Sequence, residues 1–144
     1  MKLWRQRIIV LALALCGGFG NSHVTVKPDN ATMVGTWTIE KVNSTCPSEL
    51  ISETTKLLIR QDGTFTAQDF PREVSLGRQF RVDGKWSLRE EDNRWRLDLP
   101  WETPAMSMLD GARLIAKSKE VLIEFWIGDP DAYSRLVLRK QANP

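Results

Sequence analysis

Catalysis and metal binding need proton carriers, nucleophiles or ligand atoms within reach of one another, and this 144-residue sequence holds few of them. Its one histidine is His23, and its two cysteines are Cys16 and Cys46. That rules out a His-rich zinc centre and a multi-disulfide scaffold, and it leaves no Cys-His or Ser-His-Asp set inside a folded core. Carboxylates gather in two places. Asp129 and Asp131 flank Pro130 and would offer oxygens to a hard cation. A calcium site needs six or more oxygens, however, and Asp and Pro are ordinary turn formers. Glu90, Glu91 and Asp92 could be paired with Glu102 as acid and base. Glycoside chemistry wants one such carboxyl in an apolar pocket, whereas a charged turn is solvated. The residues point to no catalytic group, no metal and no cofactor.

Charge narrows the partners. The chain carries 20 Lys and Arg against 18 Asp and Glu, a formal +2. Lys2, Arg5 and Arg7 account for the excess, and the rest of the chain is close to neutral. A surface that neutralises many phosphates is therefore not expected, and nucleic acid is excluded as a partner. Arg94 and Arg96 alternate with Asp98, a pattern that suits the solvated face of a strand. The tryptophans are more informative. Trp37, Trp86 and Trp95 fall on apolar faces, whereas Trp101 lies in a Pro-bounded loop and Trp126 on a polar face. An outward Trp is either covered by a loop or part of a binding patch.

The first twenty residues read as an address. Three positive charges precede the unbroken apolar run Ile8 to Cys16, and Gly17-Gly18-Phe19-Gly20 follows. A charged start, a short apolar run and a small-residue exit make a secretory signal peptide, residues 1–20. The run is shorter than the roughly 20 residues a spanning helix requires. Leu13-Ala14-Leu15-Cys16 resembles the bacterial lipobox, which would make Cys16 the lipidated first residue, although Leu15 stands where the pattern has Gly, Ala or Ser. Ordinary cleavage, for example after Gly20, is the alternative. In both cases no intramolecular disulfide is expected at Cys46, which reads as a buried or benign thiol. Residues 21–32 are polar and read as a flexible tether.

From residue 33 to 144 the period is two, as in antiparallel strands with one solvated face. Trp37 and Ile39 share a face, as do Leu57 and Ile59, Phe65 and Ala67, Phe80 and Val82, and Leu136 and Leu138. The stretch Arg94 to Leu99 alternates without exception. Asp62-Gly63 reads as a hairpin turn, Asp83-Gly84 as a turn or bulge, and residues 89–93 as a charged turn. A short helical turn fits residues 48–52. The expectation is an all-β domain of eight or nine short strands, an antiparallel meander that closes into a small barrel because closure removes exposed edges.

Gly35-Thr36-Trp37 on the first strand is similar to the G-x-W motif of the lipocalins and related small barrels. The resemblance implies that Gly35 and Trp37 sit at the closed end of the barrel, with an arginine of the last strand, Arg139 or Arg135, over the indole. Together, Val34-Gly35-Thr36-Trp37, Asp62-Gly63-Thr64-Phe65, Gly84-Lys85-Trp86 and Gly128-Asp129-Pro130-Asp131 look like a group of uncharacterised bacterial exported proteins and lipoproteins with a short lipocalin-like barrel. What that implies is a protein of the periplasm, tethered to the outer membrane or secreted; the group carries no assigned activity. With no acid-base or nucleophile set in the chain, the function expected is non-enzymatic, and the inward aromatics Phe65, Phe80, Trp86 and Phe125 of such a barrel would line a site for a small apolar ligand. The alternative is a barrel filled by its own side chains that meets an envelope partner through its loops.

Overall fold

A computed structural model describes residues 22–41, 44–46, 51–70, 81–100, 112–127 and 134–142. Its elements in chain order are β1 (Ser22–His23), α1 (Asn30–Met33), β2 (Gly35–Ile39), β3 (Lys56–Ile59), β4 (Thr64–Gln68), β5 (Val82–Lys85), β6 (Ser87–Glu91), β7 (Arg94–Asp98), β8 (Ala112–Lys117), β9 (Glu120–Trp126) and β10 (Arg135–Lys140). Nearly every element is a strand, and every pairing is antiparallel. The sheet runs β5-β4-β3-β2-β10-β9-β8-β7-β6. Its two outer members, β5 and β6, are consecutive in the chain and separated only by Trp86. The sheet therefore turns round on itself into a nearly closed meander barrel, with β10 beside β2 and β5 running on into β6.

The bend at Trp86 is held from both sides of the peptide. Its backbone N–H donates to Gly63 O and its indole N–H to Arg60 O, both at 2.9 Å. Asp83-Gly84, expected as a turn, lies inside β5, where Asp83 pairs with Thr66 and Gly84 with Phe65. Glycine is needed there for proximity: a Cβ on Gly84 would stand 2.7 Å from Phe65 Cε1. Residues 89–91, expected in a charged turn, extend β6, and the reversal is Asp92-Asn93 alone, both at positive φ. That backbone matches the right-handed twist of a two-residue hairpin. At Asp62-Gly63 the expected turn forms, with Gly63 at φ +83° and Asp62 accepting from the Thr64 N–H at 2.9 Å. Of the helical turn expected at 48–52, only Ile51 and Ser52 are described, and neither is helical.

The core is continuous across the barrel. Trp37, Leu57, Ile59, Phe65, Leu97, Leu114, Ile123, Leu136 and Leu138 are buried together, and Phe70 meets Phe125 edge-on at 5.4 Å. A second buried cluster, Ile115, Leu122 and Val137, sits on the opposite face of β8, β9 and β10.

Part of the stretch read as a flexible tether, Ser22 to Val24, is bonded to the wall. β7 pairs with β8 through only two residue pairs, and β1 takes up the free edge beyond, Ser22 against Ala116 and His23 against Ile115. Val24 completes the bridge, donating to Leu114 O and accepting from the Trp95 N–H. Asp29 then caps α1, accepting from the Thr32 N–H at 2.7 Å. Polarity suggested a tether, but Val24 and Pro28 are buried. An open strand edge on β8 is a product of folding and leaves no trace in local composition.

Candidate functional site

The two ends of the barrel differ. At one end the turns are short: residues 60–63, Asp92-Asn93 and Ser118-Lys119. At the other lie the connections β2–β3, β4–β5, β7–β8 and β9–β10, each eight residues or longer. The short-turn end is sealed and the long-loop end carries the larger cavity.

Trp37 seals the short-turn end. It is fully buried, and its indole N–H donates to Met33 O at 2.9 Å, tying β2 to the end of α1. The cation above it is Lys140. Its Nζ donates to Ala31 O at 2.6 Å and Thr32 O at 3.2 Å, and its stem crosses Gly35 so closely that a Cβ there would lie 2.6 Å from Lys140 Cε. Gly35 itself has φ +146°. Arg139, expected in this place, faces outward and pairs with Glu40 at 2.8 Å and Glu120 at 3.2 Å. Arg135 also faces outward, on Glu124. The reason is parity: β10 turns Leu136, Leu138 and Lys140 inward and the arginines out.

At the long-loop end a half-enclosed cleft of about 530 Å³ opens between the end of β2 and the connection to β3. Thr38, Ile39, Lys41, Ser44, Cys46, Ile51 and Glu53 line it. Ile39 and Ile51 pack on the core, and buried Cys46 belongs to it, so the cleft floor is apolar. Two bonds anchor the connecting segment: Thr45 and Cys46 donate their N–H groups to Arg135 O. Ser44 Oγ donates to Glu40 O and accepts from the Val137 N–H. Lys41 and Glu53 face each other at the rim, 3.7 Å apart and largely exposed. A smaller cavity of about 290 Å³ lies at the sealed end beside Lys119, Glu120 and Arg139.

Phe65, Trp86 and Phe125, expected around a ligand, are not among the residues that line either cavity. Phe65 and Phe125 are packed in the core, and Trp86 is half-buried with its indole N–H engaged. Phe80 lies outside the described residues, as do Cys16, Trp101, Glu102, Asp129 and Asp131. Trp126 is covered on one side by the Arg113 guanidinium, 4.7 Å from the ring centroid. The charged run of β6 and β7 forms surface pairs: Arg89 binds Asp98 at 2.9 Å, and Arg96 binds Glu91. Among the described residues there is no cluster of three or more His, Cys, Asp or Glu placed to hold a metal ion, and no helix long and apolar enough to cross a membrane.

Two features escape a reading of the chain alone. Glu124 is buried on the outer face, 3.8 Å from Arg113 and 3.2 Å from Arg135. It shares the outward parity of Leu122 and Trp126, and that parity alone carries no sign of burial. Ile51 is the second; the apolar pair Leu50-Ile51 in a polar loop was its one signal. Charge also shapes the titration of single groups. Bonding to the Thr66 hydroxyl at 2.5 Å, then to Arg81, holds the Asp83 carboxyl below its ordinary range. Burial, then Arg94 and Arg113, lowers His23 below its usual 6.5.

No known family model, no curated protein and no solved structure matches the chain.

Proposed function

We propose that this is a non-enzymatic, exported barrel that binds a small apolar ligand in the cleft at its long-loop end. Export follows from the charged start and the apolar run of residues 8–16, with acylation of Cys16 tethering the mature chain to the outer membrane, or plain cleavage releasing it to the periplasm. The observation that carries the binding reading is the cleft itself. At about 530 Å³ it is the size of a small-molecule site, and it sets Ile39, Cys46 and Ile51 beneath a few polar groups. The interior, in contrast, is occupied by the packed side chains of the core. The ligand site thus moves from the interior aromatics to the rim.

Titration with a fluorescent fatty acid tests this. Saturable binding near one per chain is expected, and Ile51→Ser should weaken it about tenfold, the equivalent of roughly 1.4 kcal/mol of lost contact, at temperatures where the melting curve shows the variant still folded. A second reading, an envelope interaction protein acting through its loops, is favoured by the filled core and by the gathering of the four longest connections at one end. No saturable probe binding would reject the first reading in favour of the second.

A further inference from the structure

We infer that the anchored protein stands on the lipid surface on its sealed, short-turn end, so that the cleft opens away from the membrane. This rests on reading Cys16 as the acylated residue. The argument is one of chain length. Twelve residues of tether after the signal would let the barrel tumble freely. The structure shortens that leash, because Ser22 and His23 pair with β8 and Val24 bonds both Leu114 of β8 and Trp95 of β7.

Only residues 17–21 separate Cys16 from the wall. Whatever their conformation, six Cα–Cα steps reach at most about 20 Å. The leash also leaves the barrel at a defined place. Ser22 pairs with Ala116, next to the end of β8 and the Ser118-Lys119 turn. A six-residue strand spans about 20 Å, so the cleft at the far end lies about as far from Ser22 as the leash can reach. With the barrel inverted, the leash would have to run the whole length of the wall to bring Cys16 to the bilayer.

A second observation concerns the surface itself. Val26, in the segment between β1 and α1, is 78% exposed and is the exposed large apolar side chain among the described residues. Lys27 follows it, with its ammonium 5.5 Å from the Trp95 ring. An apolar side chain beside a cation suits the boundary between headgroups and acyl chains. The segment leads from β1, which the leash enters, to α1 at the sealed end.

The experiment uses the acylated protein in phosphatidylcholine vesicles that carry a headgroup spin label. Val26→Cys and Ser52→Cys place a fluorophore at the two ends, and the parent protein, with buried Cys46, sets the labelling background. Quenching several-fold stronger at position 26 than at position 52 is expected. Inserting ten Gly/Ser residues before Ser22 should shrink that contrast, since a longer flexible leash frees the orientation. Equal quenching of the two positions in acylated protein overturns the orientation while leaving the anchor intact. A chain that takes no acyl label at Cys16 overturns the anchor and the orientation with it, and leaves ligand binding in the cleft to stand or fall by its own titration.

Discussion

Replacing Trp37 by alanine tests how the barrel is sealed. The side chain is fully buried, and its indole N–H satisfies Met33 O. Truncating a buried aromatic costs about 3–5 kcal/mol. Area gives a similar figure: an aromatic buries roughly 150–250 Å² at about 25 cal/mol per Å², or about 4–6 kcal/mol as an upper bound. The lost hydrogen bond adds about 1 kcal/mol, softened if water reaches the carbonyl. Small domains have about 5–15 kcal/mol in total, so a large share would go. With a urea slope of about 2 kcal/mol/M, the midpoint should fall by about 2 M. Trp37→Phe separates the contributions: it keeps most of the apolar contact, drops the donor, and should cost about half as much. Chemical denaturation followed by circular dichroism reads both variants. A loss under about 1 kcal/mol for Trp37→Ala would refute the reasoning, because a side chain so placed could not be carrying the seal.

Gly35→Ala should cost about 1–3 kcal/mol, since φ +146° strains any side chain. Adding Lys140→Ala removes the close approach to the lysine stem but should recover little of that loss; full recovery would show that the clash, and not the backbone, was responsible. The His23 ring should titrate below 6.5 by NMR. A folded-state value under the unfolded one means that stability present above pH 6.5 is lost as pH falls through the folded value, so His23→Gln should flatten the melting temperature across that window. An unchanged slope would reject the assignment. Glu124→Ala leaves Arg113 and Arg135 without their shared carboxylate. Both arginines are about one-third exposed and regain water, so the loss should stay near 1–3 kcal/mol; a denaturation midpoint higher than that of the parent would mean that burying the charge costs more than the pairs return.

How much of this was legible in the chain follows from the range of the forces involved. Alternation marked β2, β3, β4, β7 and β10, because a strand with one wet face must repeat every two residues. Antiparallel order and a barrel followed from many short strands with brief turns, and Gly63 marked its own turn through φ. The same local logic misread Gly84, whose missing side chain makes room for Phe65 on the next strand.

Other assignments were settled only by pairing across the fold. Arg139 and Lys140 are neighbours of similar charge, and the strand's parity against Trp37 decides which of them covers the sealed end. The edge that captures Ser22 to Val24 exists because β7 pairs with only part of β8, a matter of strand stagger between distant segments. The cleft likewise depends on how the β2–β3 connection lies against Arg135, bringing Cys46 and Ile51 to Ile39. Secondary structure was readable because burial imposes a period on every strand locally. Cover, capture and cavity were not, because each is a relation between surfaces that come together only when the sheet closes.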